Sequence, residues 1–220
     1  MSIIVVVEDL THAREKTISL LAEAYPAAAV ESAGSVKEAL ALLQGVQPDL
    51  LIIDLGLPKD LGERSKLSNG IQILKHCMKE YPSLNITVQT AEPKALIRIK
   101  PLIDLHQGGF TVVDKTSSVE DMLRRVKWAR EGLIHTREIR GWHAGIEMRR
   151  EWLDTLRLAS QEHSLQDKEI AGQMNVSEAT IRHYWKKIQD VLEVYPESYD
   201  VKKNLRVMTL ERARQESLID

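Results

Sequence analysis

Short apolar runs alternate with amphipathic helical stretches through the first half of the chain, and this alternation limits the fold more than any other feature. The run Ile3-Ile4-Val5-Val6-Val7 is β-branched and uninterrupted, the pattern of a central strand buried on both faces. Residues 14–25 follow with Ile18, Leu21 and Ala22 at helical spacing, and 28–32 make a weaker strand. Ser35-Val36-Lys37-Glu38 has the form of a capping box opening a helix to about residue 43. Residues 49–54 read DLLIID, a second apolar strand. A helix is expected over 70–81, a strand over 85–90, a helix over 94–105 with Pro101 as a kink point, and a last strand over 110–114. Repeated strand–helix units predict an α/β fold: a doubly wound, five-stranded parallel sheet with helices on both faces.

After Lys115 the strand pattern stops. Residues 118–133 form an expected helix capped by Ser118, with Met122, Val126 and Ala129 on one face, and everything beyond reads as helix or connection. The expected division is an α/β domain over 1–133, a linker over 134–147, and an all-α domain over 148–220 with an added C-terminal helix. That last helix, 200–216, is expected to turn Val201, Leu205 and Met208 toward the protein, and Trp128, Trp142 and Trp152 to anchor helices to each other.

Composition removes several classes of function. Cys77 is the only cysteine, so neither an intramolecular disulfide nor a cysteine metal cage can form, and a reducing, cytoplasmic compartment is expected. The apolar run at the start has no basic segment before it and stops at Glu8-Asp9, too short for a signal peptide or membrane span. The formal net charge of −2 gives no bulk attraction to nucleic acid, so any such affinity must come from a local basic surface.

In an open parallel sheet, ligands bind beyond the carboxyl ends of the strands. There the first strand ends in Glu8-Asp9, the third in Asp54, the fourth in Thr90-Ala91 and the fifth in Lys115. Each alone fits a polar strand end. Together, three carboxylates on one edge call for a hard cation such as Mg²⁺, and Asp54 can serve as a nucleophile with Thr90 and Lys115 as donors to phosphoryl oxygens. The segments VVVED, LIIDLGLP, QTA and DK, in this order, resemble the receiver domain of response regulators across about residues 2–133. The resemblance implies a flavodoxin-like fold and phosphorylation of Asp54 by a histidine kinase. It implies Mg²⁺ bound by Asp9, Asp54 and the Gly56 carbonyl, with Glu8 acting through water, Thr90 turned toward the phosphoryl group, and Lys115 paired with it. Three features depart from that pattern, one being Glu8 in place of the commoner aspartate, tolerable because its contact would run through water. Residues 59–69 fill a connection that is usually short, either as a solvated insertion, the favoured reading, or as a lid over Asp54; they are expected to be mobile. Val112 stands where an aromatic residue commonly acts as a switch, with Phe110 two residues earlier on the same face.

In the second half, KEIAGQM ends at Asn175, suited to a left-handed turn, and Ser177 can cap a helix running to about Leu192. Two such helices make a helix-turn-helix. The second carries Ile181, Trp185, Ile188 and Leu192 as its apolar stripe and presents Thr180, Arg182, His183, Lys186 and Lys187 elsewhere. DKEIAGQMNVSEATIRHYWKKIQDVL resembles the output domain of LuxR/NarL-type response regulators, although residues 151–160 and the longer 161–164 stretch match it poorly. The resemblance implies a transcription regulator binding duplex DNA, with Ser177, Thr180, Arg182, His183, Lys186 and Lys187 at the DNA. A two-fold homodimer is expected, through 200–216 or 96–105. The basic stretch 124–150 fits a DNA-backbone surface or, preferably, a salt-bridge surface between domains. The alternative is an adaptor or phosphorelay protein whose helical domain binds protein. An aspartyl-nucleophile phosphatase is disfavoured because Gly56 stands where such enzymes commonly place a second aspartate, leaving no general acid, so no enzymatic turnover beyond slow autodephosphorylation is expected.

Overall fold

The computed structural model describes residues 2–139, 148–161, 165–195 and 204–220. Trp142, Val201, much of the expected linker and most of 161–164 lie outside the described residues. The chain divides into two compact units, Met1–Arg140 and Gly141–Asp220.

The first unit is a parallel sheet of order β2-β1-β3-β4-β5-β6. Its strands are β1 (Ser2–Val7), β2 (Ala28–Ala33), β3 (Leu50–Ile53), β4 (Asn85–Thr90), β5 (Phe110–Asp114) and β6 (Ile134–His135). The helices are α1 (Thr11–Ala24), α2 (Val36–Gly45), α3 (Leu67–Glu80), α4 (Lys100–Leu105) and α5 (Val119–Arg130). Ile4, Val6, Leu50, Ile52 and Val113 face one way, against Leu21 of α1 and Met122, Val126 and Ala129 of α5. Val5, Val7, Leu51 and Ile53 alternate with them and are buried too, on the face that right-handed crossovers give to α2 and α3. The chain leaves β1 for β2 on one side and returns to β3 on the other. The crevice opened by that reversal lies at the carboxyl ends of β1 and β3.

Several expectations change. The sheet has six strands, not five. After α5, Gly132 takes φ +79°, which a glycine adopts without strain, and turns the chain back so that Ile134 pairs with Phe110 and His135 with Thr111. Residues 134–139 therefore pack in the first unit rather than serving as linker. Trp128 packs on His135, with Arg124 and Arg125 over its ring, so it ties β6 to α5 rather than helix to helix. The helix expected over 94–105 is broken into a 3-10 turn, Pro93–Ile99, and α4, because Pro101 cannot continue a helix already under way but fits the first turn of a new one. Finally, α3 begins at Leu67, ahead of Gly70. A Cβ on Gly70 would lie 2.4 Å from Leu55 Cα, so glycine is what lets α3 close on the segment after β3.

The second unit contains α6 (Arg150–Ala159), α7 (Asp167–Met174), α8 (Glu178–Leu192) and α9 (Leu205–Gln215). Asn175 is left-handed at φ 54°, and Ser177 Oγ accepts the Thr180 N–H, the turn and cap expected between α7 and α8. Ile170, Ile181, Trp185, Ile188, Leu192, Trp152 and Leu156 are buried. The phase of α9 differs from expectation. Leu205 and Met208 are only half-buried, and Thr209, Leu210 and Ala213 turn inward. Arg206 sets this phase: its Nη1 donates to Asp167 Oδ1 at 3.0 Å, its Nη2 donates to the Leu165 carbonyl, and its guanidinium stacks 5.0 Å over the Trp185 ring. Residues 206, 209, 210 and 213 then form one helical stripe.

Candidate functional site

The carboxyl ends of β1 and β3 place Glu8, Asp9 and Asp54 together, with one oxygen of each lying within 4.8 Å of the others. β1 and β3 are paired in parallel with Val7 opposite Ile53, so the residues that follow emerge side by side. The Asp54 N–H extends the ladder to the Val7 carbonyl at 2.9 Å. Asp54 is 8% exposed; its Oδ1 accepts the Leu55 N–H at 2.7 Å and its Oδ2 accepts from Lys115 Nζ at 2.9 Å. Lys115, just past β5, also reaches Glu8 Oε2 at 2.6 Å.

Burial pushes the Glu8 carboxyl above the usual carboxylate range and the Asp54 charge adds to the push, while Lys115 and the Leu10 N–H pull it back. Burial alone would lower the Lys115 ammonium, but its bonds to Glu8 and Asp54 and their charges outweigh that and hold it above the usual lysine value. Three formal negative charges against one ammonium leave a deficit of two, which a divalent cation would neutralise. The donors are all hard oxygens, as Mg²⁺ prefers. Gly56 borders this edge, and a Cβ there would make only an ordinary contact with Asp54 Oδ2, at 3.4 Å.

The other expected site residues are distributed as follows. Thr90, at the end of β4, is buried, and its hydroxyl accepts the Glu92 N–H at 3.2 Å. Val112 and Phe110 are both fully buried on one face of β5, and Phe110 packs edge-on against His106. The 59–69 insertion makes contacts with the rest of the first unit. Leu57 and Lys66 form an antiparallel bridge, Lys37 pairs with Asp60 at 2.7 Å, and Ser65 donates its hydroxyl to Asp9 Oδ2. Neither Ser65 nor Arg206 stands out in the sequence. A serine in a charged loop carries no signal, and an arginine in the helical stripe 206, 209, 210, 213 is visible only once the phase is known.

In the second unit, α8 displays Arg182, His183 and Lys186 to solvent, as well as Ser177 ahead of its first turn, while Thr180 and Lys187 are half-buried. Arg182 lies 3.8 Å from Glu178, and Lys187 lies 3.7 Å from Asp190. Trp185 donates its Nε1–H to Asp167 at 3.0 Å, which fixes the start of α7 to the middle of α8. Among the described residues, no helix is long and apolar enough to cross a membrane.

Residues 4–127 match the family model described as the response regulator receiver domain. No curated protein matches the chain. A structure of RcsB from Salmonella enterica serovar Typhimurium, bound to the rprA promoter with the phosphomimetic BeF3−, matches at 19% identity and TM-score 0.57, covering 97% of this chain and 99% of that one. A structure of two RcsB dimers on two parallel DNAs matches at 18% identity and TM-score 0.60, covering 97% and 98%. At these identities the likeness is one of fold.

Proposed function

The chain belongs to the response regulator receiver family, and we propose that phosphorylation of Asp54 by a histidine kinase controls sequence-specific binding of duplex DNA by the helix-turn-helix of the second unit. The observation that carries this reading is the Asp54 carboxylate at the sheet's reversal point, hydrogen-bonded to Lys115 and clustered with Glu8 and Asp9. Asp54 attacks the phosphorus of a phosphohistidine; an O–P bond forms, the N–P bond breaks, and the electron pair returns to the imidazole. Lys115 pairs with the phosphoryl charge. Asp9, Asp54 and the Gly56 carbonyl would hold Mg²⁺, with Glu8 acting through water, and the bound ion would supply charge neutralisation to the phosphoryl oxygens. Thr90 reaches the phosphoryl group by releasing its bond to the Glu92 N–H.

Support for the DNA half of the reading comes from α8: a capped helix on a left-handed turn with Arg182, His183 and Lys186 exposed along it. The RcsB structures of like fold hold DNA, one of them as dimers. The activated form is a two-fold dimer, through α9 or through the stretch ending in α4, where Leu102 and Leu105 are exposed. The chain acts in the cytoplasm as a phosphoacceptor rather than as an enzyme with turnover.

Acetyl phosphate tests the assignment directly. In Mg²⁺ the wild type acquires one phosphoryl group by intact mass, chelation prevents it, and Asp54→Asn stays unmodified. Equal modification of Asp54→Asn moves the acceptor elsewhere.

A further inference from the structure

The connection between β3 and α3 delivers a side chain to the acidic cluster for which the reading above has no role. Lys115 spends its ammonium on Glu8 and Asp54. Asp9, the half-buried member of the cluster, receives instead a neutral donor, the Ser65 hydroxyl, on Oδ2. A serine on a loose loop would meet this carboxylate only in passing. Here the loop is fastened on two sides. At its neck, the Lys66 N–H donates to the Leu57 carbonyl at 3.0 Å, and Asn69 Nδ2 donates to the same carbonyl at 2.7 Å. On the other side, the Val36 and Lys37 N–H groups, orphans of the first turn of α2, donate to the Pro58 and Lys59 carbonyls at 3.0 and 3.2 Å. The Lys37–Asp60 ion pair adds to that attachment.

We infer that Ser65 is a positioning residue for the cation ligand Asp9, supplied by the insertion. The inference rests on the reading of Glu8, Asp9 and Asp54 as the cation site. An ionised carboxylate offers about four lone-pair directions over two oxygens, so the hydroxyl can hold Oδ2 while the other oxygen faces a cation. Ligating carboxylates are commonly fixed in this way by outer partners, and loss of such a partner weakens metal binding by about 10–100-fold. Ser65 lies at an exposed position, so the lower end of that range applies.

The test is Mn²⁺ titration of the full chain, followed by calorimetry and by the electron paramagnetic resonance of free Mn²⁺. Ser65→Ala weakens Mn²⁺ about tenfold, and Ser65→Thr, which keeps the hydroxyl, stays close to the wild type. Urea unfolding without metal gives the same midpoint for all three, which separates positioning from a folding defect. Equal Mn²⁺ affinity in the wild type and Ser65→Ala overturns the inference and leaves the cation site standing. No Mn²⁺ binding by the wild type, or undiminished binding by Asp9→Asn, overturns the cation site and the inference with it.

Discussion

Lys115 Nζ lies 2.6 Å from Glu8 and 2.9 Å from Asp54, two carboxylates whose residues are almost fully buried. Removing that ammonium leaves burial and the Asp54 charge acting on Glu8 with only the Leu10 N–H opposing them, so the Glu8 carboxyl rises further. An acid raised in the folded state binds more protons there than in the unfolded chain, and stability then falls as pH rises. Lys115→Ala is therefore expected to cost about 1–3 kcal/mol at pH 7, discounted from a fully buried pair because the lysine is partly exposed. The cost shrinks toward pH 5; urea unfolding at the two pH values reads it, and a pH-independent loss contradicts the electrostatic account. A second prediction concerns Cys77, whose thiol burial pushes up to about 12. Folded protein resists alkylation at pH 8, and only denaturant exposes the thiol. Above the free thiol's value of 9.0 the unfolded chain loses a proton that the folded chain keeps, so the wild type loses about 1.4 kcal/mol per pH unit there relative to Cys77→Ala. A parallel pH dependence in the two proteins contradicts the shift. At this scale, what was legible in the sequence was any residue tied to a strand end: Glu8, Asp9, Asp54 and Lys115 converge because β1, β3 and β5 end at one edge. Ser65 was not legible, because its place depends on how a loop folds back.

Among the elements, β1 and β3 were legible because strands buried on both faces leave an uninterrupted apolar run. The turn and cap between α7 and α8 were legible because Asn175 and Ser177 carry their own local chemistry. The break at Pro101 is local, whereas the misses at β6, α9 and the start of α3 share a cause, which is that tertiary contact decided the outcome. Two residues are too few for β6 to show a pattern, and only the β5 edge makes it a strand. The phase of α9 was set by the grip of Asp167 and Trp185 on Arg206, against the more apolar stripe of Leu205 and Met208. The start of α3 shows the same dependence and yields a prediction. Because a Cβ on Gly70 would meet Leu55 Cα at 2.4 Å and the Asp54 carbonyl at 2.8 Å, Gly70→Ala must push α3 away from the segment carrying the acceptor. The expected cost is about 1–3 kcal/mol in urea unfolding, with slower modification by acetyl phosphate. A stable variant modified at the wild-type rate would mean that α3 can shift without moving Asp54.

For the whole molecule the question is whether a state set at Asp54 changes what α8 does to DNA. Ile181, Trp185 and Ile188 are buried, so the positions between them decide any contact with a duplex. Arg182 and Lys186, one turn apart, lie exposed on a common face, with His183 beside them. Among the described residues Arg182 pairs with the exposed Glu178 at 3.8 Å, a surface pair worth about 0–1 kcal/mol, so that pair opposes little its turning to a base edge. Lys187 is half-buried near Asp190 and is better placed at a backbone phosphate. A base-reading arginine contributes about 1–3 kcal/mol of discrimination, whereas loss of a phosphate contact weakens every sequence alike and flattens the salt dependence by about one unit of log–log slope. Sites selected from a random pool by the BeF3−-treated protein provide the specific duplex. On it, Arg182→Ala should lose about tenfold or more relative to random duplex, while Lys187→Ala weakens both equally and reduces the salt slope. The wild type should bind its selected site more tightly with BeF3− than without, and Asp54→Asn should show no such difference. An unchanged specificity ratio for Arg182→Ala removes it from the reading face. A folded wild type that binds no duplex in either state replaces the transcription reading with the protein-binding adaptor.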